Sequence, residues 1–261
     1  MDFTQPQSSV QLQTVVSQEF PPLLLNNLTR RIVVGRGQDN SKDEDEDDAG
    51  GEDKDEAEFE DEDKQGEQNK DKNDERNIFR QQLRLVDENL GTTYSSKSKK
   101  LYGNNKPWQQ NKMQEMATPG LIHVSYWQDD LLRFFVSFMP TVEEISPGHE
   151  ATVLYLYELQ ITDPFQRKGV GHQLFTRLLR VCKSLHLAGI ELTVFSDNVP
   201  AIAFYKKIGM DLAHDSPRDS DVTSLSGNRP AHRTRSRSRT PEILATKTPP
   251  KPDYYILFQR V

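Results

Sequence analysis

Asp163-Pro-Phe-Gln-Arg-Lys-Gly-Val-Gly171 links a long apolar run of strand formers, Ala151-Thr-Val-Leu-Tyr-Leu-Tyr-Glu-Leu-Gln-Ile161, to a helix-patterned stretch, His172–Leu187. Pro164 ends the strand, since proline donates nothing to a ladder. Gly169 and Gly171 permit backbone dihedrals closed to other residues and let a ligand approach the main chain. The helix that follows starts with unpaired amides and a partial positive charge, which together suit a pyrophosphate. Arg167 and Lys168 add cationic charge at the rim. Taken alone, a Gly-x-Gly at a strand-to-helix turn is more often only tight packing.

Working outward, Leu174, Phe175, Leu178, Cys182 and Leu185 form one apolar stripe on the helix. Leu121–Trp127 and Leu131–Phe138 flank Gln128-Asp129-Asp130, the pattern of a β-hairpin. Ile190–Ser196 reads as a further strand, Pro200–Lys207 as a short helix and Tyr254–Gln259 as a closing strand, while Asn77–Leu90 has helical spacing. The predicted order is helix, three strands, helix, strand, helix, strand. That is an α/β fold with a mixed sheet and helices packed on it.

Charge divides the chain. Between Gln38 and Arg76 there are 20 Asp/Glu against 6 Lys/Arg, a local net of −14 in a chain whose total is −7. Phe59 is the only large apolar side chain in that tract, too little to offset chain entropy, so disorder is expected. Residues 1–37 are polar apart from Pro21-Pro22-Leu23-Leu24-Leu25, and little stable structure is expected over 1–76. The folded domain is placed at 77–261, interrupted by a flexible Ser/Arg/Thr/Pro-rich insertion at 217–252. Cys182 is the single cysteine, which excludes an intrachain disulfide and fits a reducing compartment. Neither a secretory signal nor a membrane span is expected, and six scattered histidines without paired spacing give no metal site.

The pattern Gln166-x-x-Gly169-x-Gly171 resembles the acetyl-CoA pyrophosphate loop of the GNAT acetyltransferase superfamily. Leu192-Thr-Val-Phe-Ser-Asp-Asn198 followed by Ala201-Ile-Ala-Phe-Tyr-Lys-Lys-Ile-Gly-Met210 is similar to its second half. Leu101–Trp108, Tyr155-Leu-Tyr-Glu158, Leu192–Phe195, Asp215-Ser-Pro217 and Tyr254–Leu257 further resemble the histone N-terminal acetyltransferases, the N-α-acetyltransferase D family. This resemblance spans 77–261 without the insertion and implies a GNAT-type fold. It implies acetyl transfer from acetyl-CoA, without a metal, to the α-amine of the Ser-Gly-Arg-Gly start of histone four and histone two-A. It also implies a nuclear and cytoplasmic monomer lacking an auxiliary subunit, with histone tails as partners and no membrane or direct nucleic-acid binding.

Carried over residue by residue, Leu159, Gln160 and Ile161 would hold the acyl and pantetheine portion by their backbones. Arg167, Lys168, Gly169, Val170, Gly171 and His172 would bind the pyrophosphate, and Asn198 would contact the cofactor further along. Tyr102, Tyr157, Thr193, Ser216 and Tyr254 would line the peptide pocket. The family places two acids before the central strand; Glu143 matches the second, but the first falls on Thr141.

An α-amine with a pKa of about 7.7–8.0 must lose a proton before attacking a thioester. Glu158, a carboxylate inside an apolar strand, is the candidate base beside Tyr157; the competing reading pairs it with a nearby Lys or Arg. Tyr205 is either the acid that protonates the leaving thiolate or a packed aromatic. Other readings of the whole chain are a GNAT enzyme acting on lysine or small amines, or an inactive fold that binds histones through its acidic tract. The basic insertion reads as an idle loop, a nuclear-import or nucleic-acid patch, or a phosphorylated segment.

Overall fold

The computed structural model describes residues 6–25, 27–37, 62–219 and 251–261, the side chains of 6–8 and 62–73 excepted. Most of the acidic tract and of the basic insertion lies outside the described residues. The chain divides into two compact units: Met1–Met139 with Glu158–Arg177, and Pro140–Tyr157 with Leu178–Val261.

The first unit carries helices α1 (Pro6–Glu19), α2 (Glu62–Tyr102) and α3 (Trp108–Met116). Its strands β1 (Leu23–Leu24), β2 (Leu28–Val34), β3 (Ile122–Gln128) and the first part of β4 (Leu131–Ser146) are neighbours in that order. The β3–β4 hairpin forms as predicted. Asp129 and Asp130 both adopt positive φ, 51° and 57°, the backbone of a two-residue turn whose twist matches the flanking strands. Aspartate tolerates that region because its short side chain bonds locally.

Two parts of this unit differ from the sequence expectation. Order begins well before Asn77: β2 pairs antiparallel with β3, Ile32 opposite Val124. Leu12, Val16 and Phe20, spaced four apart, are buried, and the Phe20 ring stacks on Phe138 at 6.1 Å. Three well-spaced apolar residues in a polar segment suffice when a sheet supplies the rest of the core. Likewise α2 starts at Glu62, inside the acidic tract, and ends at Tyr102, far beyond Leu90. Ile78, Phe79, Leu85, Val86 and Tyr94 give it one buried face, with the Phe79 ring 4.9 Å from that of His123.

The second unit holds the remainder of β4, most of β5 (His149–Ile161), then β6 (Gly189–Phe195), α5 (Val199–Lys207), β7 (Asp211–Leu212) and β8 (Tyr254–Arg260). Neighbours run β5-β6-β8-β7. β5 and β6 are parallel, with Tyr155 opposite Glu191; β6–β8 and β7–β8 are antiparallel, so the sheet is mixed as expected. Gly189 is required by close approach, because a Cβ there would lie 2.2 Å from the Gln259 carbonyl oxygen.

Helix α4 (Val170–Ser184) continues from β5 through a 3₁₀ turn at Asp163–Phe165. Its stripe of Leu174, Phe175, Leu178 and Cys182, joined by Val181, is buried. Burial pushes the Cys182 thiol up to about 12, which makes it a core residue and not a nucleophile.

Candidate active site

Strand alternation decides what β5 can offer. Successive residues point to opposite faces, and burial follows that period: Leu156, Glu158 and Gln160 are buried, while Tyr155, Tyr157, Leu159 and Ile161 are half-buried. Tyr157 and Glu158, coupled in the sequence reading, therefore project from opposite faces of the strand.

In the first unit, β5 ends in the turn Asp163–Gly171. Thr162 N–H donates to the Arg133 carbonyl at 2.9 Å, keeping the strand in its ladder to the last residue. Gln166 folds back, its Nε2 donating to the Ile161 carbonyl at 2.9 Å, and Asn89 Nδ2 reaches the same oxygen at 3.3 Å. Gln166 thus braces the turn, and the Ile161 carbonyl is already engaged within the protein.

Arg167 and Gly169 take positive φ, 59° and 81°, whereas Gly171 does not. The chain then enters α4 with the Gly169 carbonyl accepting Gln173 N–H at 3.0 Å. The N–H groups of Gly169, Val170, Gly171 and His172 precede that first intrahelical bond. A Cβ built on Gly169 would meet nothing within 4 Å, so the turn faces open space. Arg167, Lys168 and His172 are exposed beside it. Open amides, helix-end charge and two flanking cations fit a pyrophosphate.

On the buried face of β5, Glu158 is 5% exposed and engaged by three donors. Tyr94 O–H donates to its Oε1 at 3.2 Å, Gln160 Nε2 to its Oε2 at 2.6 Å, and the Lys112 ammonium pairs with Oε1. Gln160 is held in turn by Asn89 Nδ2 at 2.9 Å. Lys112 also reaches Glu115 at 2.5 Å. Burial opposes the Lys112 charge, but Glu158 and Glu115 outweigh it and hold the ammonium well above the usual lysine range. Burial, then Glu158, likewise keeps the Tyr94 hydroxyl protonated, and the Trp108 ring stacks on Tyr94 at 4.8 Å. Tyr102, at the end of α2, is pushed up to about 12 by burial and then by Glu115. The cation that the competing reading required is therefore present. Lys112 escaped the sequence reading because α3 carries no reactive motif and its apolar residues, Trp108, Met113 and Met116, are sparse.

In the second unit, β5 pairs with β6, which pairs in turn with β8. Tyr155 Oη and Thr193 Oγ1 lie 2.7 Å apart, and the Tyr155 and Tyr157 rings meet edge-on at 5.1 Å. Burial pushes Tyr155 up to about 12. Tyr254 is half-buried at the start of β8, opposite Phe195. Glu191, two residues from Thr193 on the same face of β6, is only 4% exposed. Burial first, then Glu143 and Asp215, raise its carboxyl from 4.5 to about 7. Glu191 carries the signal that singled out Glu158, an acid inside an apolar strand, and the sequence reading passed over it. Thr141, at the first acid's place, has its Oγ1 buried without a partner among the described residues.

Three candidates here serve the fold as well. Asn198 Oδ1 accepts Ala201 N–H at 3.2 Å and caps α5. Ser216 Oγ accepts Ile256 N–H at 2.9 Å, fixing the chain against β8. Tyr205 is buried on α5 with its ring 5.1 Å from Phe204. Among the described residues, no cluster of three or more His, Cys, Asp or Glu could hold a metal ion, and no helix is long and apolar enough to cross a membrane.

Residues 92–210 match the model of the Acetyltransferase (GNAT) family, a span from the end of α2 through α5 that includes the turn before α4. The mixed sheet and helices are accordingly of GNAT type. The chain is 36% identical over 156 residues to N-alpha-acetyltransferase 40 of Saccharomyces cerevisiae (strain ATCC 204508 / S288c), covering 54% of each chain. It thus spans about half the length of that curated relative. Among solved structures, Arabidopsis thaliana NAA60 in complex with a bisubstrate analogue is 15% identical, with a TM-score of 0.41, over 67% of this chain and 92% of that one. The PaiA N-acetyltransferase from Thermoplasma acidophilum in complex with coenzyme A is 11% identical, with a TM-score of 0.40, over 70% and 92%.

Proposed function

We propose that this protein transfers an acetyl group from acetyl-CoA to the α-amine of a protein N-terminus. The observation that carries the reading is the open, left-handed turn at Arg167 and Gly169 leading into α4, within the span that matches the acetyltransferase family. The amides of Gly169–His172, with Arg167 and Lys168, bind the pyrophosphate, and the backbone of Leu159 and Gln160 holds the pantetheine arm. Acetyl-CoA, a co-substrate, supplies the activated acyl group as a thioester. Likeness to a relative named as an N-alpha-acetyltransferase favours an α-amine over other amines.

Glu158 takes the proton that the incoming ammonium must lose, through a water, since its side chain lies on the buried face of β5. Tyr205 protonates the leaving thiolate. Tyr102, Tyr157, Thr193 and Tyr254 contact the peptide. Glu143, Glu191 and Asp215 give the second unit an acidic patch around a buried carboxyl, chemistry that suits a basic tail. The Ser-Gly-Arg-Gly start of histone four and histone two-A meets that requirement, with the chain acting alone in nucleus and cytoplasm.

The test offers acetyl-CoA with two peptides, one starting Ser-Gly-Arg-Gly with a free amine, the other carrying lysine behind a blocked N-terminus. Tandem mass spectrometry should place the acetyl group on the serine amine of the first. Acetylation confined to the lysine would transfer the assignment to side-chain amines. Tight peptide binding without any transfer would favour an inactive histone-binding fold.

A further inference from the structure

Lysine is almost never fully buried unless paired, and Lys112 on α3 is 2% exposed between two carboxylates. Its Nζ reaches Glu158 on β5 and Glu115 on α3, and lies 5.3 Å from the centre of the Tyr94 ring on α2. Together with Tyr94 and Gln160 it takes three of the roughly four lone-pair sites a carboxylate offers, which fixes the plane of Glu158. Glu115 is the member of this group that reaches solvent, 28% of its side chain being exposed.

We propose that Lys112 is the positioning residue for Glu158, holding its carboxylate ionised and aimed within an apolar layer, and that Glu115 tunes this hold by sharing the ammonium. The inference rests on the reading of Glu158 as proton acceptor. Without a cation, burial would favour the neutral acid and remove the base. With Glu115 present, the ammonium divides its attraction between two anions. The other titratable neighbours of this charge are Tyr94 and Tyr102 on α2 and His123 on β3. Burial holds both phenols protonated and His123 neutral at the pH of an assay, which leaves Glu158 and Glu115 as the two carboxyl groups that share the ammonium.

The experiment records kcat and KM against pH for the full chain with acetyl-CoA and a Ser-Gly-Arg-Gly peptide. Lys112→Met should lower kcat by about tenfold or more and move the acid limb of the profile up by about one pH unit or more, with little change in KM. Glu115→Gln should move the same limb down, and Lys112→Arg should return it toward wild type. Opposite shifts from two neighbouring substitutions are not what loss of packing produces. Coincident limbs in all variants, or shifts of one sign, overturn the proposal. If Lys112→Met does not fold, Glu115→Gln decides alone. Full activity in Glu158→Gln, or no transfer by the wild type, would instead remove the underlying reading.

Discussion

Replacing Glu191 with glutamine isolates the cost of burying a carboxyl in β6. Its pKa is raised from 4.5 to about 7, chiefly by burial and then by Glu143 and Asp215. Because the folded value lies above the unfolded one, the folded chain keeps an extra proton between them. Stability therefore falls as pH rises from 4.5 to about 7, and stays lower above that window. At about 1.4 kcal/mol per unit, ionised Glu191 costs about 3 kcal/mol. Glutamine keeps the shape without the charge. Thermal unfolding at about pH 5 and about pH 8 should show the variant's advantage growing between the two, by roughly 6–12 °C for a chain of this size. An advantage of equal size at both values, or a wild type that gains on the variant as pH rises, would refute the reasoning.

His123 should show the opposite slope: burial lowers it from 6.5 to about 4, so the folded chain binds fewer protons between those values. Stability is then lost as pH falls through that window, by up to about 3 kcal/mol, and His123→Gln should flatten the acid side of a denaturation series. Gly169→Ala forces a side chain into φ 81°, at a cost of about 1 kcal/mol felt where the turn must stay open. Calorimetry should show coenzyme A binding weakened by about fivefold; unchanged affinity would mean that the turn does not hold the cofactor.

What could be read from sequence followed the strength of the local signals. The β3–β4 hairpin was legible because Asp129-Asp130 separates two apolar runs, and the α4 stripe because its apolar residues recur at helical spacing. The extent of α2 was not, since Glu62–Arg76 is almost wholly polar and only its continuity with Ile78, Phe79 and Leu85 draws it into a helix. The N-terminal strand β2 was hidden for a related reason: Arg30 and Arg31 interrupt its apolar alternation, and pairing with β3 overrides it. At the site, chemistry lying in one stretch was visible, as in Gln166–His172. Chemistry assembled across distant stretches was not. Glu158 stood out, but its partners Tyr94 and Lys112 come 64 and 46 residues earlier, on helices with no reactive motif. Alternation along β5, which separates Tyr157 from Glu158, was available from the strand assignment and outweighs their adjacency in the chain.

Hydrogen exchange of the full chain with and without coenzyme A asks most directly whether the start of α4 cradles a diphosphate. The amides of Gly169, Val170, Gly171 and His172 should slow on addition of the cofactor, more than any others outside β5. Protection that appears elsewhere while these four exchange as fast as before would contradict the assignment.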